Sequence, residues 1–177
     1  MPRAFESKRS RLSHIVIGSV LLLAFCAAGA QTSAPPALQP VDARHVIVSL
    51  SASGVQIYAC KRDQTNRLTW IFKAPLADLY DASGKLVVKH FTGPSWEASD
   101  GSKLTGKVLQ QAANTTEPDS IPLLLLQTKS TGGPGLLVAA RYVQRLNTRG
   151  GLAPTQPCEQ EGQEGRSPYL ADYLFLE

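Results

Sequence analysis

The feature that most constrains this chain is the length of its apolar runs. Beyond residue 45 they are short, rich in β-type residues, and broken by turn clusters every 8 to 12 residues or so. Ten such runs can be named: Val46 to Leu50, Gly54 to Cys60, Leu68 to Lys73, Ala77 to Tyr80, Lys85 to Phe91, Trp96 to Ala98, Lys103 to Gln110, Leu123 to Thr128, Leu136 to Leu146 and Leu170 to Leu176. No stretch carries the period of a long helix. Asp81-Ala82-Ser83-Gly84 and Asp100-Gly101 place residues tolerant of positive φ where hairpins reverse. Parallel strands would need intervening crossovers of a dozen residues or so. The expectation is therefore an all-β antiparallel domain of about nine to ten short strands, as a sandwich or a closed barrel.

Alternation nominates the core. Val46, Val48 and Leu50 share one face of the first run, and Leu68, Trp70 and Phe72 share one face of the third. Leu123-Leu124-Leu125-Leu126 is apolar on both faces and calls for cover on both sides.

The N-terminal segment has a different character. Arg3, Lys8, Arg9 and Arg11 precede an apolar run from Ile15 to Ala27 and then Ala28-Gly29-Ala30, which reads as a secretory signal peptide over residues 1–30 with Gln31 as the mature start. The apolar run is shorter than the ~20 residues of a membrane-spanning helix, so no span is expected after cleavage. Cys26 does not fit a lipidation site, because the bulky Phe25 precedes it. Residues 31–44, with Pro35, Pro36 and Pro40, are expected to form a flexible linker to a single β domain over 45–177. The chain is expected to be exported, either periplasmic or secreted.

Export changes both the charge and the thiol count. Loss of residues 1–30 leaves fourteen basic and thirteen acidic residues, a net charge of +1, with no dense basic run to neutralise phosphates. Nucleic acid is not an expected partner. Cys60 and Cys158 remain as an even pair in an oxidising compartment and are expected to form a disulfide closing a 98-residue separation.

Gly54-Val55-Gln56-Ile57-Tyr58-Ala59-Cys60, Ala74-Pro75-Leu76-Ala77-Asp78-Leu79-Tyr80-Asp81 and Gly93-Pro94-Ser95-Trp96-Glu97-Ala98-Ser99-Asp100-Gly101-Ser102 resemble stretches of the domain of unknown function 3455 family. So do Tyr142-Val143-Gln144-Arg145-Leu146-Asn147-Thr148, Gly150-Gly151, Cys158 and Pro168-Tyr169 with Ala171-Asp172-Tyr173. The resemblance covers nearly the whole of the domain. It implies an exported bacterial or fungal protein and carries over no catalytic residue.

Chemical signatures are sparse. Gly101-Ser102-Lys103-Leu104-Thr105-Gly106-Lys107 has the spacing of a phosphate loop, but Val108 stands where Ser or Thr would hold magnesium, and a turn feeds a strand instead of a helix. Neither a dinucleotide fingerprint nor a Gly-x-Ser-x-Gly elbow occurs, and no cofactor is expected. After cleavage the histidines are His45 and His90, in no paired-ligand spacing, and no metal site is assigned. Arg141 and Arg145, four apart on one run, share a face expected to be solvated.

The candidate binding residues are Trp96, Glu97, Asp100 and His90, crowded around the Gly93-Pro94 turn. Trp96 is weighed as a stacking platform for a small molecule or glycan against a hydrophobic plug, and the plug is favoured. The leading functional expectation is a non-enzymatic binding or envelope-associated module. Its rivals are a hydrolase of envelope or extracellular polysaccharide using Glu97 and Asp100, and a purely structural secreted protein.

Overall fold

The structure, a computed structural model, describes Met1, residues 33–43 and residues 45–177. The expected signal peptide, the start at Gln31 and Cys26 lie outside the described residues. Eight strands follow in order: β1 (Val46–Arg62), β2 (Leu68–Tyr80), β3 (Leu86–Phe91), β4 (Ser95–Ala98), β5 (Lys103–Ala112), β6 (Leu123–Ser130), β7 (Tyr142–Gly150) and β8 (Glu164–Leu176). Each pairs antiparallel with the next, and β8 returns to β1 to close a barrel. The all-β antiparallel expectation holds, and the choice between sandwich and barrel falls to the barrel.

Eight strands stand where nine to ten were expected, because two apparent breaks lie inside continuous strands. Gly54 pairs with Ala77 in the β1–β2 ladder. A Cβ there would lie 2.2 Å from the Leu76 carbonyl oxygen, so this glycine marks a close backbone approach within a strand. Pro75 sits opposite Gln56 in the same ladder. Its missing N–H is tolerated because β3 pairs only with Ala77 to Tyr80, leaving that side of β2 open.

The turns use one device repeatedly. Asp81 Oδ1 accepts from the Ser83 N–H (2.9 Å), the Ser83 hydroxyl (2.6 Å) and the Lys85 N–H (3.0 Å). Asp63 serves Thr65 and Arg67 in the same way, and Asp100 serves Ser102. These bonds favour the ionised carboxylates and hold all three below the usual range, Asp63 at about 2 with the Thr65 hydroxyl as the first cause.

Beyond Asp100 the run Leu136 to Leu146 divides. The Leu136 N–H donates to Asp100 Oδ2 (2.6 Å) and the Leu137 N–H to the Ser102 hydroxyl (3.1 Å). Leu137 is thereby carried into the main core with Leu50, Leu79, Val88, Leu104, Val143 and Phe175.

A second, smaller core lies outside the barrel, where Leu38 packs on Leu123, Leu125 and Leu146. Within the stretch expected as a linker, the described residues 33–43 are anchored through Leu38, while most of their side chains stay exposed. Pro36–Leu38 forms a short 3-10 turn, Leu38 is 0% exposed, and Gln144 Nε2 donates to the Leu38 carbonyl at 2.6 Å. Asp42 accepts from the Tyr142 hydroxyl at 2.7 Å and pairs with Arg141. The physical reason is the doubly apolar β6: Leu124 and Leu126 face one way, and the covering segment hides Leu123 and Leu125 on the other.

Of the six residues that alternation nominates for the core, Leu50 is buried, Val48, Leu68 and Trp70 are half-buried, and Val46 and Phe72 are exposed. A bulge between Val46 and Val48 leaves Val46 exposed. Trp70 is half-buried, its indole N–H donating to the Gln156 carbonyl at 2.8 Å, and Phe72 is 52% exposed. Both lie on the stretch of β2 that has no β3 neighbour.

Cys60, at the end of β1, and Cys158, in the β7–β8 connection, form the expected disulfide, with Cα atoms 5.8 Å apart. Reduction, or replacement of both by serine, should lower stability by up to ~4 kcal/mol. Thermal unfolding with and without reductant measures it. Leu38→Ala should cost about 2 to 4 kcal/mol, because it uncovers the outer face of β6.

Candidate functional site

The unequal strand lengths open the barrel wall. β4 pairs with β5 only from Ser95 to Glu97, and β3 reaches only to Ala77 on β2. The first half of β2 and the second half of β5 therefore lack a neighbour across the Gly93-Pro94 turn. Behind this gap lies a cavity of about 300 Å³, lined by the exposed Phe72 and Val108, by the half-buried Pro94, and by Pro75, His90, Trp96, Leu124, Leu126, Arg145 and Tyr173.

Its floor is aromatic. Trp96 is 1% exposed and its ring lies parallel to His90, with centroids 4.7 Å apart and 7° between planes. Tyr173 meets both rings edge-on, and Phe175 meets Trp96 the same way. Room for the indole comes from Gly106, where a Cβ would lie 2.8 Å from the six-membered ring. The plug reading of Trp96 is the one this geometry supports. The His90 Nδ1–H donates to the Ser95 carbonyl at 2.9 Å, and burial pushes the imidazole down to about 4, with the Arg145 charge acting the same way. His90 is thus neutral near pH 7.

One wall is cationic. Arg145, expected on a solvated face with Arg141, is instead 8% exposed and inside the barrel. β7 begins at Tyr142, so Arg141 precedes the strand and stays outside with Asp42. Arg145 Nη2 donates to the Pro122 carbonyl at 2.8 Å, while Nε has no partner among the described residues. No carboxylate lies within ion-pair distance of it among the described residues. Two further buried donors lack partners among the described residues, Trp96 Nε1 and Gln56 Nε2. The Tyr169 and Tyr173 hydroxyls lie 3.2 Å apart, and burial raises both phenols above their ordinary value, so they remain protonated donors.

The four residues nominated from the sequence separate into two pairs. His90 and Trp96 come together inside. Glu97 points outward by the strand's alternation and pairs with Lys103 at 3.2 Å. Asp100 is exposed, held by its own turn and by the Leu136 N–H. Neither carboxylate lines the cavity, so the acid–base pairing across Trp96 has no geometric support. Asn114, which opens a glycosylation-type triplet, is buried and spends its Nδ2 on Thr148.

The model of the family described as protein of unknown function (DUF3455) matches residues 40–177. The chain belongs to that family. No curated protein and no solved structure matches it. In this DUF3455 member, Pro75, Gly93, Pro94, Trp96, Arg145 and Tyr173 each come from a stretch that carries the sequence resemblance, and all six line the cavity. Reading the sequence nominated His90 and Trp96 beside the Gly93-Pro94 turn and missed the rest of the lining, Arg145 and Tyr173 among it. A period of two places Val143 and Arg145 on one face, but nothing local says that the face turns inward.

Trp96→Ala should cost ~3 to 5 kcal/mol in denaturant unfolding, as befits a buried indole. The unfolded chain takes up a proton at His90 near pH 6.5, whereas the folded chain refuses it until about pH 4. Stability should therefore fall as pH drops through that window, by roughly 3 kcal/mol in full. His90→Phe should flatten this part of the pH–stability curve, and an unchanged slope would remove His90 as its source.

Proposed function

We propose that this chain is a non-enzymatic binding module acting outside the cytoplasm, which admits a small molecule through the gap beside Gly93-Pro94 into the barrel. The observation that carries the reading is a buried cation, Arg145, with an unpartnered donor beside a cavity of about 300 Å³. Burying an unpaired charge is costly, so its place in a cavity wall suits a group that completes its bonding with a ligand. The volume falls at the low end of small-molecule sites, and the mix of apolar walls with few polar groups matches such sites. Binding without chemistry is favoured because the lining contains no carboxylate, serine or cysteine, and its histidine is neutral and held in a stack.

Export is supported by the signal-like N-terminus and by the Cys60–Cys158 disulfide, a bond that persists in oxidising compartments. Among the described residues, no helix is long and apolar enough to cross a membrane.

The chain has two tryptophans, so Trp70→Phe leaves Trp96 as the sole indole and a reporter inside the cavity. In a metabolite and glycan screen of oxidised protein, a true ligand should change Trp96 fluorescence saturably and raise the melting temperature. Filling the mouth with Val108→Trp in the chain that retains Trp70 should abolish the thermal shift. A ligand whose binding survives that substitution binds elsewhere, and the reading fails.

A further inference from the structure

We infer that the ligand is a small organic monocarboxylate, with its charged head on Arg145 and a compact apolar body filling the rest of the cavity. This rests on the binding reading above and specifies its chemistry. Charge comes first. The lining has two cationic side chains, and one is already compensated, since Lys73 pairs across β1 with Glu164 on β8. Arg145 has no acidic partner among the described residues and lies in low-dielectric surroundings where a single negative head restores neutrality. A dianion would bring one uncompensated charge of its own.

Hydrogen bonding points the same way. The polar groups of the lining are mostly donors: the Arg145 guanidinium with its unpartnered Nε, the unpartnered Trp96 Nε1, and the protonated Tyr173 hydroxyl, which lies 3.2 Å from the Tyr169 hydroxyl. A carboxylate is an acceptor that a planar guanidinium meets edge to edge. A neutral sugar brings many hydroxyl donors, and this wall offers few acceptors for them. Size also excludes an oligosaccharide. An apolar cavity of about 150 Å³ holds benzene, so the roughly 300 Å³ here suits a ring or short chain plus its head group. Phe72, Pro75, Pro94, Leu124 and Leu126 supply the apolar wall for that body.

The test compares acids with neutral isosteres on the oxidised chain: benzoate against benzamide, and hexanoate against hexanamide, by isothermal titration and by Trp96 fluorescence in the Trp70→Phe background. Each acid should bind at one site and roughly tenfold or more tighter than its amide. Arg145→Gln should erase that preference. The acid-to-amide ratio on the unaltered Arg145 chain decides the matter even where the Arg145 variant fails to fold. Amides binding as tightly as acids would overturn the carboxylate inference and leave the binding barrel standing. If neither series perturbs Trp96 at millimolar concentration, while the native chain melts cooperatively, both fail together. Saturation by sulfate or phosphate as strong as by benzoate would also overturn it, since the apolar body would then contribute nothing.

Discussion

The pairing of β1 with β8, from Val46 opposite Leu176 to Ala59 opposite Glu164, turns a meander of hairpins into a barrel, and the inside exists because of it. Closure satisfies the backbone groups that two long edge strands would otherwise present. It also brings Tyr169, Tyr173 and Phe175 from the end of the chain against Trp96 and His90 from its middle. Strands of unequal length then make the wall incomplete at one place. β3 and β4 are short where β1, β2 and β8 are long, and the deficit becomes a mouth.

Inside, the packing has two characters. Leu50, Leu79, Val88, Leu104, Leu137 and Val143 form an aliphatic core. Around the cavity lie Arg145 and Trp96, each with a donor left open among the described residues, and the Tyr173 hydroxyl, 3.2 Å from that of Tyr169. The first region has the character of stability and the second of function, since buried polar groups without partners destabilise a fold that keeps them. Two devices offset that cost near the cavity end. The disulfide holds the β7–β8 connection against β1, and the Tyr58 hydroxyl donates to the Gly151 carbonyl of the same connection at 2.7 Å. Thr148 and Asn114 secure the β5–β6 connection, which also supplies the Pro122 carbonyl that steadies Arg145.

Local chemistry made a large part of this legible in one dimension. Runs with β propensity, Asp-led turns at Asp81 and Asp100, the pairing of Cys60 with Cys158 and the need of Leu123 to Leu126 for two covers all rest on short-range rules or simple counting. The strand count came out high because Gly54 and Pro75 look like punctuation when their partners are unknown. Residues 33–43 read as a tether because three prolines outweigh one leucine in composition, and the anchor among them is Leu38, which fills the site that β6 leaves uncovered.

Sequence by itself therefore determined the class of this protein, an antiparallel all-β domain with a disulfide and a family membership, because hairpin turns and a period of two are written residue by residue. Tertiary structure decided the rest. A period of two says which residues share a face and never which face is inside, so only closure could place Arg145 in the cavity and Glu97 on the surface. Whether a strand has a neighbour along its full length depends on the strands beside it, and that relation opened the wall at Gly93-Pro94. The candidate site is a property of the barrel's geometry, assembled from residues that are ordinary in sequence and unusual only in what surrounds them.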